Sequence, residues 1–417
     1  MKVFADLHIH SKYSGATSSH MDIENLERGA REKGLNLLGT GDFLHPNWLK
    51  ELKSNLIEDE TGILKTNSGF NFILTCEVNN VFEHEGKVRK IHNLILAKNF
   101  DIVEQIRESL KKFGDLNNDG RPTLNLTCVE LLDILSSIDK DIEVIPCHVW
   151  TPWYGVFGSK SGFDDLKECY QDKTNLIHAL ETGLSSDPEM NWAISKLDKY
   201  NLVSNSDSHS PSPFRLGREA NVFELKELTY DEVLRAIREK NSKRFLLTIE
   251  VDPSYGKYHF DGHRKCGVCL SPEEAKKFNN ICPVCGKPLT LGVLHRVLDL
   301  ADRPLGYKPK DAIPFKRILP LQELISVYYK STPTSKKVLQ IHQKLIKHFG
   351  SEFSVLLEVE KKELEKIVDT KLSELIIKNR EGNIRIQPGY DGVYGKIILE
   401  NGDFSEKKSP QKGLFEF

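Results

Sequence analysis

At 417 residues and a net charge of −2, the chain is too long for one small core and predicts two to four domains. No run of eighteen apolar residues occurs and the N-terminus lacks a signal peptide's apolar segment, so a cytoplasmic protein without a membrane partner is expected. The charge is uneven: residues 1–252 carry 30 Lys and Arg against 40 Asp and Glu, residues 253–350 carry 17 against 7, and residues 351–417 carry 11 against 13. A basic middle region suits a polyanionic partner, although a lysine-rich solvated face would give the same balance.

The chain opens on Ala5-Asp6-Leu7-His8-Ile9-His10. Val3, Ala5, Leu7 and Ile9 alternate with polar residues, a strand period that puts both imidazoles on one face. Two converging imidazoles suit a divalent transition metal. Up to residue 250, apolar runs lie near 2–10, 36–42, 71–78, 88–97, 142–149, 175–181, 201–206 and 243–249. Helical patterns lie near 22–33, 101–113, 127–139, 188–199 and 229–240, and capping boxes start two of them, Thr127 with Glu130 and Thr229 with Glu232. Such alternation predicts a parallel sheet with crossover helices, closed as an α/β barrel.

Active sites of such barrels gather at the C-terminal strand ends. His8 and His10 end the first run, and Asp42 and His45 follow the second. Glu77 ends the third, His92 lies in the fourth, His148 ends the fifth, Glu181 ends the sixth, and Asp207 and His209 follow the seventh. That recurrence is a donor set for two or three zinc or manganese ions. Cys76, Cys128, Cys147 and Cys169 stand singly in apolar surroundings and read as reduced core residues.

These motifs resemble the PHP (polymerase and histidinol phosphatase) superfamily over residues 1–250. The resemblance implies a distorted seven-stranded α/β barrel with a trinuclear metal site. By it, His8, His10, Glu77 and Asp207 would hold one ion, Glu77, His92 and His148 a second, and His45 and His209 a third. Ser11-Lys12-Tyr13-Ser14-Gly15 departs from the family pattern, where another His or Asp often follows the first motif.

From about 251 the pattern changes. Cys266, Cys269, Cys282 and Cys285 form C-x2-C-x12-C-x2-C, which predicts a closed structural zinc site in a ribbon-like module over 251–330. A helix is expected over 290–305. Around and after it stand Arg296, Arg303, Tyr307, Lys308, Lys310, Lys316 and Arg317. Basic residues interleaved with an aromatic fit a DNA backbone and a stacked base, and a solvated loop with one packed tyrosine would read the same.

Residues 331–400 are expected to form a helical DNA-binding region. Leu345 to Leu364 resembles half of a helix-hairpin-helix unit, but Asp369-Thr370-Lys371 stands where its glycine hairpin would be. Gly389, Gly392 and Gly395 surround Tyr390 and Tyr394. Either the two tyrosines stack on a base or the stretch is a tight hairpin. The tail over 401–417 ends Gln411-Lys412-Gly413-Leu414-Phe415-Glu416-Phe417 and resembles a sliding-clamp (PCNA) interaction box, with Gln411, Leu414, Phe415 and Phe417 as contacts.

Barrel, four-cysteine ribbon, helical region and clamp-like tail, in this order, resemble the endonuclease Q family, found chiefly in archaea. The resemblance implies a DNA repair endonuclease that cuts 5′ of a deaminated base (uracil, hypoxanthine, xanthine) or an abasic site. It leaves a 3′-hydroxyl and a 5′-phosphate. A metal-activated water would attack, with Asp207, His209 or Glu181 relaying protons. Zn2+ is expected in the ribbon and the barrel, and Mg2+ or Mn2+ as an active-site alternative. The expected partners are damaged DNA with its lesion nucleotide extruded, read by residues after 250, and a sliding clamp. Two other readings fit parts of the chain: a small-molecule phosphoesterase of the histidinol phosphatase kind, and a catalytically inactive, clamp-tethered DNA-binding protein.

Overall fold

The computed structural model describes residues 1–398. The first 250 residues form β1 (Lys2–Asp6), α1 (Ile23–Lys33), β2 (Leu37–Gly39), α2 (Pro46–Asn55), β3 (Leu64–Lys65), β4 (Asn71–His84) and β5 (Lys87–Ala97). Then follow α3 (Phe100–Leu110), β6 (Thr123–Leu124), α4 (Cys128–Ile138), β7 (Glu143–Pro146), α5 (Leu166–Tyr170), β8 (Ala179–Glu181) and α6 (Pro188–Trp192). The last are β9 (Asn201–Val203), β10 (Ala220–Glu224), α7 (Tyr230–Arg238) and β11 (Phe245–Glu250).

Local chemistry sets the helix ends. Asp22 accepts from the Asn25 amide to cap α1, and Gly34, at φ +99°, ends it in left-handed backbone. The capping box of α4 forms in full. At α7 only half forms: Thr229 accepts from the Glu232 amide, while the Glu232 carboxylate turns to Arg235 and Arg244.

The sheet is mixed, not parallel. Its path runs β14-β11-β10-β1-β2-β4-β5-β7, with β3 and β6 attached to β4 and with β14 (Phe315–Arg317) arriving from beyond residue 250. β1, β2 and β4 are parallel, but β4 and β5 are antiparallel. Only Glu85 and Gly86 join them, both at positive φ, and a two-residue turn makes a hairpin because a parallel pair needs a long crossover. β8 and β9 pair in a separate two-stranded sheet.

The ladders therefore do not close seven strands into a barrel. Single backbone bonds span the gap: Val149 N–H to the Glu181 carbonyl and His10 N–H to the Ser208 carbonyl, each 3.0 Å. They bring the ends of β1, β4, β7, β8 and β9 around one hollow. One apolar cluster lies under the helices around Trp48, Phe72, Leu131 and Trp150. A second holds Leu7, Phe223, Tyr230 and Phe245.

Beyond residue 250, β12 (Asp261–His263) and β13 (Val268–Leu270) form a small ribbon. α8 (Pro272–Lys277) and α9 (Val293–Leu300) follow, α9 shorter than expected because Gly292 and Ala301 bound it in extended backbone. After β14 come α10 (Leu321–Tyr328), α11 (Lys336–Phe349), α12 (Lys361–Leu364) and α13 (Thr370–Arg380). β15 (Arg385–Gln387) and β16 (Lys396–Ile398) then pair antiparallel, so the glycine-tyrosine stretch joins two strands. Glu352, buried between α11 and α12, accepts from Lys33 of α1 at 2.6 Å and lies 3.0 Å from His342 Nε2. Among the described residues, no helix is long and apolar enough to cross a membrane.

Candidate metal centre

Strand β1 delivers His8 and His10 into the hollow, both fully buried. β4 delivers Glu77, β5 delivers His92, and the turns after β7 and β9 deliver His148 and Asp207. Donor atoms of His8, His10, Glu77 and Asp207 lie within 4.8 Å of one another, and so do those of Glu77, His92 and His148. Glu77 is shared: Oε2 is 3.3 Å from His10 Nε2, and Oε1 is 2.5 Å from His92 Nδ1 and 3.0 Å from His148 Nε2.

The first two expected ligand groups are thus assembled. The third is not: His45 Nε2 meets the Asn117 carbonyl at 3.1 Å, and its ring stacks on Tyr13. His209 lies against His10 and 3.9 Å from Asp207 Oδ1, in no ligand group among the described residues.

Electrostatics suit bound cations. Burial opposes ionisation of Glu77, yet His92, Arg121 and His8 hold its carboxyl well below the usual range. Burial likewise opposes ionisation of Asp207, and its hydrogen bond with His10, together with the imidazoles of His8 and His209 beside it, outweighs burial. Burial lowers His92 to about 4, which leaves its imidazole neutral and able to ligate. His8 Nε2 is buried without a hydrogen-bond partner, 3.6 Å from Glu77 Oε2 and 3.8 Å from Asp207 Oδ1. An orphaned nitrogen facing two carboxylates is the arrangement a divalent ion satisfies.

Sequence reasoning gave Glu181 a proton-relay role, but its oxygens are occupied. They meet His8 Nδ1 at 2.9 Å, the His148 amide at 3.0 Å and Asn205 Nδ2 at 2.9 Å. Glu181 therefore orients His8 from behind. Asp42 does the same for His10, 3.1 Å from Nδ1, and also accepts from the Ser11 amide. Arg121 was not singled out in the sequence; its guanidinium donates to Glu77 Oε2 at 3.2 Å. Asp42, His148 and Asp207 all have left-handed backbone, at φ 51°, 30° and 47°, which strains each of them.

A second cluster lies in the ribbon. Cys266, Cys282 and Cys285 converge with His263, not with Cys269. Cys269 sits in β13 opposite Gly262, and its Sγ meets the Pro388 carbonyl at 3.8 Å. The expected fourth thiolate is replaced by an imidazole: His263 Nδ1 is 3.3 Å from Cys285 Sγ. His263-x-x-Cys266 has knuckle spacing, a signal the four-cysteine pattern masked.

The expected DNA contacts divide. Arg296 binds the Phe157 and Phe163 carbonyls and Asp164, Arg303 grips Asp198 with two nitrogens, and Arg317 pairs with Asp187 and Glu189. These three arginines dock the module onto the first 250 residues. Lys308, Lys310 and Lys316 are exposed, as is Tyr307, which lies under Arg303. Tyr390 is half-buried and packs on Gly262, and Tyr394 lies under Lys257. Gln411, Leu414, Phe415 and Phe417 lie outside the described residues.

The crystal structure of the lesion-specific endonuclease PfuEndoQ from Pyrococcus furiosus is similar over 95% of this chain and 95% of that one, at 36% identity and a TM-score of 0.86. A crystal structure of Endonuclease Q with a 27-mer duplex bearing an abasic lesion at the active site is similar over 96% of this chain and 97% of that one, at 36% identity and a TM-score of 0.85. Residues 320–383, spanning α10 to α13, match the family model of the MJ0043 C-terminal domain. The MJ0043 protein of Methanocaldococcus jannaschii is 36% identical over 258 residues, 61% of this chain, and the chain spans 32% of that protein's length.

Fold and site, with these likenesses, define a metal-dependent DNA endonuclease, a hydrolase. The inactive and small-molecule readings give way to it. The chain belongs to the endonuclease Q family.

Proposed function

We propose that this endonuclease cuts the phosphodiester 5′ of a deaminated base (uracil, hypoxanthine or xanthine) or of an abasic site, leaving a 3′-hydroxyl and a 5′-phosphate. The observation that carries the hydrolytic part of the reading is Glu77, one carboxylate shared between two groups of ligand-type residues; the lesion part is supported by the lesion-specific relatives. A bridging carboxylate suits paired cations, the usual arrangement for in-line displacement at phosphorus.

Zn2+, Mg2+ or Mn2+ would be held by His8, His10, Glu77 and Asp207 and by Glu77, His92 and His148. Bound there, such cations supply Lewis acidity that lowers the pKa of water and neutralises charge on the phosphate. The chain's own residues do the rest. Asp207 orients the nucleophile while serving as a ligand. His209, partly exposed beside it, can take a proton: burial lowers its affinity for one, so the imidazole stands free as a base. Arg121 donates to the phosphate from beside Glu77.

Duplex DNA is the proposed partner, supported by the abasic complex of the relative. The exposed Tyr307, Lys308, Lys310 and Lys316 would follow its backbone, with Tyr390 and Tyr394 at the module's edge. We divide the chain at 250, 330 and 400 into nuclease, zinc module, helical DNA-binding region and clamp-binding tail. The ribbon cluster would hold Zn2+ structurally.

The test is incubation with end-labelled duplexes carrying one uracil, hypoxanthine or abasic site, with and without added Mg2+ or Mn2+. A metal-dependent nick 5′ of the lesion is expected. Equal cutting of undamaged duplex, or a cut 3′ of the lesion, contradicts the proposal.

A further inference from the structure

Arg218 lies half-buried just before β10 and makes no contact with the ligand groups. Its Nε and Nη2 both donate to one acceptor, the Ser206 carbonyl, at 3.2 and 3.0 Å. The adjacent Glu219 does not take the guanidinium: its Oε1 accepts from the Val251 amide, and its Oε2 is buried without a hydrogen-bond partner. Ser206 is gripped on its other polar groups as well. Its amide donates to Asp6 Oδ1 at 3.0 Å and its hydroxyl to Asp6 Oδ2. The same Oδ2 accepts from the Gly217 amide at 2.9 Å. Asp6 thus ties residue 206 to residue 217, and Arg218 reaches back along that tie to the carbonyl.

The residue that this grip controls is the next one. Asp207 lies at φ +47°, which is costly unless its surroundings impose it. The Ser206 carbonyl belongs to the peptide group on the N-terminal side of that torsion. With this peptide held, φ of Asp207 can relax only by turning its own Cα and the chain beyond it. That chain is held too: the Asp207 carbonyl lies 3.1 Å from His209 Nδ1, and the Ser208 carbonyl accepts from the His10 amide at 3.0 Å. Asp207 therefore reaches the site from a backbone fixed on both sides, with Oδ1 3.0 Å from His10 Nε2 and 3.8 Å from His8 Nε2.

From this geometry we infer that Arg218 is a positioning residue for the metal centre: by clamping the Ser206 carbonyl it keeps Asp207 in left-handed backbone and its carboxylate aimed at the ion shared with His8 and His10. The inference rests on the reading that Asp207 ligates that ion. A guanidinium suits the task, because charged donors bond a carbonyl more strongly than neutral ones and its rigid fork fixes a direction. A lysine ammonium would keep the charge and give a single, less directed contact. The sign of the effect separates position from charge. A guanidinium acting by charge alone would repel a bound cation, so its removal would tighten metal binding. Acting by position, its removal loosens it.

The test uses the full-length protein as wild type, Arg218→Met, Arg218→Lys, Asp207→Ala and the double variant Arg218→Met with Asp207→Ala. Calorimetry measures Mn2+ affinity, and single-turnover nicking of a duplex with one abasic site is measured beside it. Arg218→Met is expected to bind Mn2+ roughly tenfold more weakly and to nick more slowly, with duplex affinity unchanged. Arg218→Lys should recover part of both losses. In the Asp207→Ala background the same Arg218→Met change should cost less than about twofold in Mn2+ affinity, because the group it positions is gone. The full loss in that background, tighter Mn2+ binding in Arg218→Met, or wild-type affinity in Arg218→Met each overturns the inference. Should Arg218→Met fail to fold, Arg218→Lys carries the same cycle with a smaller expected loss. A wild type that binds Mn2+ but nicks no lesion duplex overturns the cleavage reading, and the affinity cycle still decides the role of Arg218.

Discussion

His8 and Glu181 stand back to back with the metal centre: Nδ1 of the imidazole lies 2.9 Å from Oε2 of the carboxylate, and Nε2 faces Glu77 and Asp207. The carboxylate fixes the tautomer, placing the proton on Nδ1 and the lone pair on Nε2. Glu181→Gln should weaken metal binding by roughly 10–100-fold. Chelator competition measures this, and excess Mn2+ should restore cleavage. Unchanged affinity with lost cleavage would return Glu181 to a proton-transfer role.

Asp207 is the proposed ligand whose removal should cost most. Asp207→Ala is expected to lower cleavage by roughly 100-fold or more while DNA binding stays near wild type, as for loss of one charge-stabilising group. Binding by fluorescence anisotropy beside nicking on a gel separates the two. Turnover at the wild-type rate would remove Asp207 from the mechanism.

The ribbon offers a direct comparison of two ligands. His263→Ala should lose one equivalent of zinc and unfold the module, since structural zinc contributes on the order of 10 kcal/mol. Cys269→Ala should keep the zinc, because its sulfur faces Pro388 and not the cluster. Elemental analysis decides. The reverse result would restore the four-thiolate site.

Acid should loosen the contact between α1 and the C-terminal helices. Burial opposes ionisation of Glu352, but Lys33 and His342 lower its carboxyl from 4.5 to about 2. A folded value below the unfolded one stabilises the native state fully above pH 4.5, and the contribution disappears as pH falls through 2. Glu352→Gln should therefore cost about 3–5 kcal/mol at pH 6, because it strands the buried Lys33 charge, and its deficit should shrink between pH 4.5 and 2. Thermal melts of both proteins across that range test this; parallel curves would count against it.

Deleting residues 411–417 should abolish binding to a sliding clamp and leave cleavage of a short oligonucleotide unchanged. Leu414, Phe415 and Phe417 would each contribute roughly 1.5–3 kcal/mol on full burial in an apolar pocket. Calorimetry with the clamp is the measurement. Retained binding would place the contact elsewhere in the chain.

The convergence of His8, His10, Glu77, His92, His148 and Asp207 was legible because each ends or lies near an apolar run with a visible period. β10 was not. Its Asn221 is buried and turned to Ser204 and Asn205, so the strand has no alternation to read. The antiparallel β4–β5 pair was legible in principle from Glu85-Gly86, yet two strand signals in succession were read as parallel neighbours. Arg296, Arg303 and Arg317 misled for a different reason. Composition counts a charge without its partner, and Asp164, Asp198 and Asp187 stand more than 100 residues away in sequence. Glu181 and Glu77 look alike as strand-end carboxylates; only the atoms they touch tell an ion's ligand from its support.

Asp42, His148 and Asp207 carry a wider consequence through their left-handed backbone. Aspartate enters that region more readily than most residues, yet it costs roughly 1–3 kcal/mol where the surroundings impose it. Glycine at any of the three would relax the chain and empty the position of its chemistry. At Asp42 the relief is set against the buried bonds to His10 and the Ser11 amide that glycine would lose. Glycines at all three positions would mark a relative that has abandoned the reaction.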